Sequence, residues 1–247
     1  MPKPKTLKGI DRSRLLEELH NRYTRPASFR QKIRYWRKKY LWLFFIEGTK
    51  LFKRVTDIVL SAILLIVLSP LMLLIAAIIK LNDGGPALYD TQRVGKWGKE
   101  FTFPKFRTME LKADQKKEQL RKFNAHKDDI KFKIRGDPRN TKLGHILRIS
   151  SLDELPQLWC VLKGEMSLVG PRPPLPEEVA KYDLQQRKRL DITPGLTCIW
   201  QVSGRSELPF KEQVELDIAY IESQSVCLDM KLILQTIPAI LFGKGAY

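Results

Sequence analysis

The chain has 247 residues, with 44 Lys and Arg against 27 Asp and Glu, a formal net charge of +17. At 43% hydrophobic and 29% charged residues it is neither disordered nor collagen-like, and it is long enough to bury a core as one domain or one domain plus an appendage. So large a positive excess calls for an anionic partner: nucleic acid, lipid headgroups or phosphorylated small molecules.

The charge is unevenly placed. Residues 1–57 hold 16 Lys and Arg and 5 Asp and Glu, residues 58–79 hold none of either, and residues 80–247 hold 28 and 22. The densest basic run, Lys32 to Tyr40, interleaves Tyr35 and Trp36 and leads into the apolar stretch Leu41 to Ile46. Alternating basic and aromatic residues suit single-stranded nucleic acid or an anionic membrane surface. The next segment decides for the membrane. Ile58 to Ile79 is 22 residues without a charge, about 33 Å as a helix and too far into the chain for a signal peptide. Residues 1–49 therefore read as a basic and aromatic membrane-surface segment.

Ser69-Pro70 lies in the middle of the uncharged run, where proline removes an N–H and predicts a kink. Each half is about one leaflet long. Both flanks are basic: Lys50, Lys53 and Arg54 on one side, Lys80, Arg93, Lys96 and Lys99 on the other. Comparable charge at both ends favours a re-entrant membrane hairpin over 50–81, broken at Ser69-Pro70, over a kinked spanning helix. Asp57, at the mouth of the run, is placed either to pair with Lys53 or Arg54 or to stand exposed at a helix start.

After Lys80 the chain is polar and mixed, and 82–247 reads as one domain. Asn82 to Pro86 is a turn signal, and Ala87–Val94 and Glu100–Arg107 read as strands joined by a loop at Gly95 to Gly98. Glu110 to Lys127 reads as a solvated helix, Lys131 to Ile134 as a strand, and Gly136 to Pro138 as a turn. Leu152 to Lys163 is a predicted helix ending before Gly164, capped either by a Ser151–Glu154 box or by Asp153 with Pro156 in the first turn. Gly170 to Pro174 and Thr193 to Gly195 are rigid loops, and Phe210 to Ser223 reads as a helix. Leu228 to Phe242, interrupted by Pro238, suits a helix in the membrane interface or one packed on the core. The predicted class is α+β: a mainly helical cytoplasmic domain with short β-hairpins, a re-entrant membrane helix and interfacial amphipathic helices.

Cys160, Cys198 and Cys227 match no metal spacing, and their odd number suits a reducing compartment. The three histidines form no ligand pair, and the common glycine-rich nucleotide loops are absent from the sequence. The chemistry-bearing stretch is Leu147 to Pro173. It puts two adjacent carboxylates, Asp153 and Glu154, at a helix start flanked by Arg148 and Arg172. Adjacent acids repel unless a proton or a cation lies between them. Mg²⁺ would relieve that repulsion and attract a diphosphate, arginines match phosphate oxygens in pairs, and a carboxylate can attack phosphorus. A capped helix with surface salt bridges accounts for the same residues without chemistry.

From Lys53 onward the sequence resembles the bacterial sugar transferases, the monotopic polyprenyl-phosphate hexose-1-phosphate transferases. The blocks occur in family order. Lys53-Arg54-x-x-Asp57 opens the apolar run that holds Ser69-Pro70. Gln92-Arg93-Val94-Gly95, Lys105 to Met109, Asp137-Pro138-Arg139 and Leu147-Arg148 follow. Then come Ser151 to Gln157, Ser167 to Pro173, Pro194-Gly195-x-Thr197, Trp200 to Arg205 and Gly243 to Tyr247. Two positions depart from the pattern: Cys198 stands where the family often has Gly, and Gln224-Ser225 where it often has Trp-Ser.

The resemblance implies transfer of a sugar 1-phosphate from a UDP-sugar to polyprenyl (undecaprenyl) phosphate with release of UMP, the first membrane step of polysaccharide or glycoconjugate synthesis. It implies Asp153 as nucleophile, forming an aspartyl phosphosugar. It implies Glu154, with Asp153, as ligands of a Mg²⁺ cofactor. Lys105, Arg107, Arg148, Arg172 and Arg205 are the implied contacts to phosphate or nucleotide. Lys53, Arg54, Asp57, Ser69 and Pro70 are the implied membrane elements of an enzyme at the bacterial inner membrane, its catalytic domain on the cytoplasmic face. The partners are then UDP-sugar, polyprenyl phosphate and membrane lipids, and no nucleic acid. The sugar, the exact lipid and the oligomeric state, a homo-oligomer included, stay open at this level.

Overall fold

The computed structural model describes residue 17 and residues 29–111, 113–116, 136–204 and 208–241. The chain divides into two compact units, Met1–Gly48 and Thr49–Tyr247. In the first, residues 29–48 are helical. Trp36 stacks on Tyr40 with ring centroids 5.5 Å apart, and Lys39 Nζ lies 5.1 Å from the Trp36 centroid. Basic and aromatic side chains thus share an exposed surface.

Helix α1 is Phe29–Asp83, and its part from Thr49 onward opens the second unit. Its stretch Glu47–Asp83 is long and apolar enough to cross a membrane by length and composition. One face packs on the domain, with Asp57, Ser61, Ile75 and Ile79 buried and Leu60, Leu65, Met72 and Ala76 against the core clusters. These positions recur at three and four residues, the stripe of a helix docked along one side. Val59, Ile63, Ile66, Val67, Leu73 and Leu74 are exposed. A helix that is apolar on its uncovered side as well asks for a non-aqueous surrounding there.

The expected break at Ser69-Pro70 is not a break between two helices: both residues lie inside α1. Pro70 has no N–H for the Ile66 carbonyl four residues back. The Ser69 hydroxyl donates to that same carbonyl at 2.8 Å, so the carbonyl keeps a partner and the helix continues.

Strands β1 (Leu88–Val94) and β2 (Glu100–Phe106) form an antiparallel hairpin, with Tyr89 opposite Lys105 and Arg93 opposite Phe101. Residues two apart share a face, so Tyr89, Thr91 and Arg93 look the same way as Phe101, Phe103 and Lys105. Between the strands Trp97 takes a left-handed φ of 57°, with Gly98 at 81° beside it. Of the helix expected over 110–127, the described residues hold a 3-10 turn at Ala113–Lys116; the rest, and the strand expected at 131–134, lie outside the described residues.

Helix α2 (Lys142–Ile149) is an element the sequence reading did not anticipate. Thr141 caps it by accepting from Gly144 N at 2.9 Å. The segment expected as one helix over 152–163 is a 3-10 turn, Leu152–Gln157, running into α3, Leu158–Lys163. The capping box does not form, and Ser151 makes no side-chain cap bond and has a φ of 55°. Glu154 is drawn instead toward Arg172 and Lys105, which removes it from the Ser151 N–H.

Strand β3 (Ser167–Val169) runs parallel to β4 (Gly195–Thr197). Short helices α4 (Pro176–Val179) and α5 (Leu184–Arg187) lie between them, and α6 (Ile199–Ser203) follows β4. Helix α7 (Phe210–Ser223) has the predicted bounds. Helix α8 (Val226–Leu241) contains Pro238 rather than ending there. It buries Asp229 and Leu232 and exposes Met230, Leu234 and Ile237. The main core joins Phe101 and Phe103 of the hairpin to Leu158 and Val161 of α3, Leu168 of β3, Tyr220 of α7 and Leu232 of α8. The class is therefore α+β, mainly helical with short strands.

Candidate active site

The backbone sets up the site first. The β3 and β4 chains cross so closely at Gly170 and Gly195 that a Cβ on Gly195 would lie 2.0 Å from Gly170 N. Only glycine tolerates this approach. Gly170 N donates to Thr197 O at 3.0 Å and Gly195 N to Pro171 O at 2.9 Å. The loop carrying Arg172 is thereby fixed against β4.

Lys53, Arg54 and Asp57, expected at the membrane surface, all reach into the domain. The Arg54 guanidinium donates to Val161 O at 2.7 Å and Leu162 O at 2.8 Å, the carbonyls that α3 leaves open at its C-terminus. Asp57 is buried and pairs with neither Lys53 nor Arg54. It accepts from Leu168 N at 2.9 Å, because a buried amide at a strand edge needs an acceptor. Lys53 Nζ donates to Asp229 Oδ2 at 2.6 Å and Val169 O at 3.0 Å, and Tyr220 donates to Asp229 Oδ1 at 2.6 Å. The start of the apolar helix thus grips the segments on the C-terminal side of the carboxylate turn.

On that turn the two carboxylates have different surroundings. Glu154 Oε1 lies 2.5 Å from Arg172 Nη2 and 3.5 Å from Lys105 Nζ. Burial alone would raise its pKa, but Arg172 and Lys105 hold it well below the usual carboxylate range. Asp153 is buried at 8% exposure, with no hydrogen bond or ion pair among the described residues. Burial pushes its carboxyl above the usual range. Lys105, Arg148 and Arg172 counter that push, and the charge on Glu154 adds to it. One acid is locked as a charged anchor and the other is left open.

Both acids line a cavity of about 870 Å³. Its polar wall includes Arg93, Lys105, Arg148, Ser151, Arg172 and Arg189. Its apolar wall includes Leu64 and Leu68 of α1, Leu196 of β4 and Ile233, Ile237 and Ile240 of α8. Arg148 donates to Asn140 Oδ1 at 2.9 Å. Arg107 also borders the cavity, but its Nε donates to Pro86 O at 2.8 Å and both terminal nitrogens meet Asp83, Nη1 at 2.6 Å. Its guanidinium is occupied in holding the end of α1 to β2, which the sequence reading had given to substrate. Arg205 lies outside the described residues.

Arg93, Arg189 and Trp200 were not singled out in the sequence as site residues, yet all three line the cavity. Alternation along β1 was the available signal for Arg93. For Arg189 there was none, since its Asp217 partner lies 28 residues on.

A family model described as bacterial sugar transferase matches residues 48–243. The chain belongs to this family. It is 39% identical over 198 residues to the exopolysaccharide production protein ExoY of Rhizobium meliloti, covering 79% of this chain and 88% of that one. It is 39% identical over 212 residues to the UDP-glucose:undecaprenyl-phosphate glucose-1-phosphate transferase of Caulobacter vibrioides, covering 79% and 72%. It is 47% identical over 166 residues to the galactosyl transferase CpsE of Streptococcus agalactiae, covering 67% of this chain and 37% of that longer protein.

For a bacterial sugar transferase the donor set at the turn matters. Among the described residues there is no cluster of three or more His, Cys, Asp or Glu able to enclose a metal ion. An open carboxylate beside a second one suits Mg²⁺, which binds through one or two carboxylates and completes its shell with water and substrate phosphate. A carboxylate has about four lone-pair sites, so Glu154 can face an ion while it accepts from Arg172 and Lys105.

Proposed function

We propose that the chain is a phosphoglycosyl transferase that moves a sugar 1-phosphate from a UDP-sugar to polyprenyl phosphate, undecaprenyl phosphate in bacteria, and releases UMP. The observation that carries this reading is the contrast on one turn: Asp153 open and without an ion-pair partner among the described residues, Glu154 locked by Arg172 and Lys105. An aspartate held without partners beside cations is a nucleophile waiting for phosphorus.

Asp153 attacks the sugar-bearing phosphorus, the bond to the bridging oxygen breaks, and an aspartyl phosphosugar and UMP result. The phosphate oxygen of the lipid then attacks the same phosphorus and restores the Asp153 carboxylate. Lys105, Arg148 and Arg172 meet the phosphate charge in a cavity of low dielectric, where fixed charges act most strongly. Asp153 and Glu154 would hold Mg²⁺, which would supply further neutralisation of the diphosphate. Taking the two anionic substrates in turn predicts ping-pong kinetics.

The apolar wall of the cavity fits a lipid acceptor whose phosphate must reach Asp153 from the bilayer. The re-entrant placement of α1 is supported by its contacts. Arg54 and Asp57 at one end and Asp83 at the other meet the same globular unit. A hydrocarbon layer of about 30 Å between those ends would keep them on opposite sides. The basic flanks support a position on the cytoplasmic face of the inner membrane, and the exposed Met230, Leu234 and Ile237 of α8 suit the interface as the basic residues 30–40 suit anionic headgroups.

Release of UMP from a panel of UDP-sugars, with and without polyprenyl phosphate, tests the reaction. Lipid-dependent turnover and a phosphosugar trapped on Asp153 are expected. Steady water-driven hydrolysis without lipid transfer would instead mark a nucleotide-sugar phosphatase. Labelling of cysteines placed at 50 and 82 in intact cells tests the topology, and periplasmic labelling of either sinks the re-entrant placement.

A further inference from the structure

The cations of the cavity are not all matched by its carboxylates. Arg107 is closed by Asp83, Arg189 by Asp217, and Arg172 and Lys105 share Glu154. Arg93 forms no ion pair among the described residues. Its Nη1 donates to Pro173 O at 3.1 Å, while its Nε is buried and donates to nothing. Its guanidinium carbon lies 5.2 Å from the centroid of the Phe103 ring, and Lys105 Nζ lies 5.3 Å from the same centroid. Contact with a ring orients a guanidinium without neutralising it. Among the described residues one of its five N–H donors has a partner, and with Nε enclosed the terminal nitrogens leave a fork suited to an oxyanion. Burial, with Arg172 nearby, pushes its pKa down to about 10, while the carboxylates of Glu178 and Glu154 pull the other way without pairing with it.

Position narrows which oxyanion. Lys105 and Arg172 are among the charges that act most strongly on Asp153, and Arg93 is not. The charges that act most on Arg93 are those of Arg172, Glu178 and Glu154. Along β1 it is four residues past Tyr89, the partner of Lys105, with Phe103 between the two cations. In an in-line displacement the leaving phosphate lies on the side of phosphorus away from the nucleophile.

We infer that Arg93 is a substrate-binding residue that holds the phosphate of the departing nucleotide. The inference rests on the donor reading proposed above. As an Asp153 oxygen bonds to phosphorus, the bond to the bridging oxygen breaks and its electron pair stays on that oxygen. UMP leaves with the added charge and needs no proton. Arg93 meets that charge, and UMP in turn supplies the anion that the buried guanidinium lacks.

The test uses the full chain in detergent, with UMP, UDP and uridine titrated by calorimetry and melting followed with and without UMP. For Arg93→Gln, UMP affinity is expected to fall about ten- to a hundredfold. Its uridine affinity should stay at the wild-type value and its ligand-free melting temperature should hold or rise. Arg93→Lys keeps the charge without the fork and should lose less. If the Gln variant does not fold, the Lys variant decides: a loss for UMP but not for uridine supports the inference. Unchanged UMP affinity in a folded variant, with or without a lower melting temperature, marks a structural arginine and overturns the inference alone. Wild-type protein that binds neither UMP nor UDP overturns the donor reading with it.

Discussion

Two regions of the second unit handle buried charge in opposite ways. In the frame, three buried arginines each have a carboxylate of their own: Arg189 with Asp217, Arg139 with Asp137, Arg107 with Asp83. Around the carboxylate turn the matching fails on both sides. Among the described residues neither Asp153 nor Arg93 has an ion-pair partner, and Glu154 serves two cations. A fold that only needed stability would pair or remove these groups, since an unpaired buried charge is costly. The imbalance marks where a ligand of opposite charge completes the structure. The difference also separates consequences: charge removal in the frame should reduce stability, and charge removal at the turn should reduce turnover.

The sharpest probe is Asp153→Asn. UMP release should fall about a thousandfold or more, while the melting temperature holds or rises, because a buried charge without a partner is removed. Normal turnover in this variant would break the contrast outright. In the frame, Asp217→Ala leaves Arg189 buried and unpaired, with side chains exposed only 2% and 1% in the pair. A loss of about 3–5 kcal/mol in unfolding free energy is expected by thermal or denaturant unfolding. A stable Asp217→Ala protein would mean that the pairs are not what holds the frame.

Asp57→Ala strands the Leu168 amide and should cost about 1–3 kcal/mol. It should also increase hydrogen exchange at Leu168, a local readout that a general loss of membrane contact would not give. The smallest effect is at Ser151, whose left-handed φ of 55° suits glycine better. Ser151→Gly should change stability by about 0.5 kcal/mol or less, strain relief being offset by the entropy of the freer unfolded chain. A large activity loss at unchanged stability would assign the Ser151 hydroxyl to the reaction.

Local pattern carried much of the fold. The hairpin at 88–106, helix α7 and the apolar helix followed from alternation, turn residues and an uncharged run. The three-residue strands β3 and β4 left no periodic trace, since their pairing depends on a glycine crossing between segments far apart in the chain. The continuation of α1 through Pro70 also escaped the pattern. It depends on one hydroxyl replacing one amide, which a rule about proline does not see.

Of the site, Asp153, Glu154, Lys105, Arg148 and Arg172 were legible as residues because charged groups cluster around one short segment. Their roles were not. Arg107 lies within the same motif block as Lys105 but is taken by Asp83, while Arg93 and Arg189 enter the cavity from distant elements.

By itself the sequence determined where the apolar helix runs, that basic residues gather ahead of it, and which two carboxylates stand together. Those are properties of neighbours in the chain. Only the tertiary structure decided which carboxylate is locked and which is open, and which arginines have a partner. It also turned Lys53, Arg54 and Asp57 inward to grip the domain. These outcomes are set by burial and by contacts across more than 100 residues, as in Asp57 to Leu168, and no local pattern encodes who a buried charge will meet.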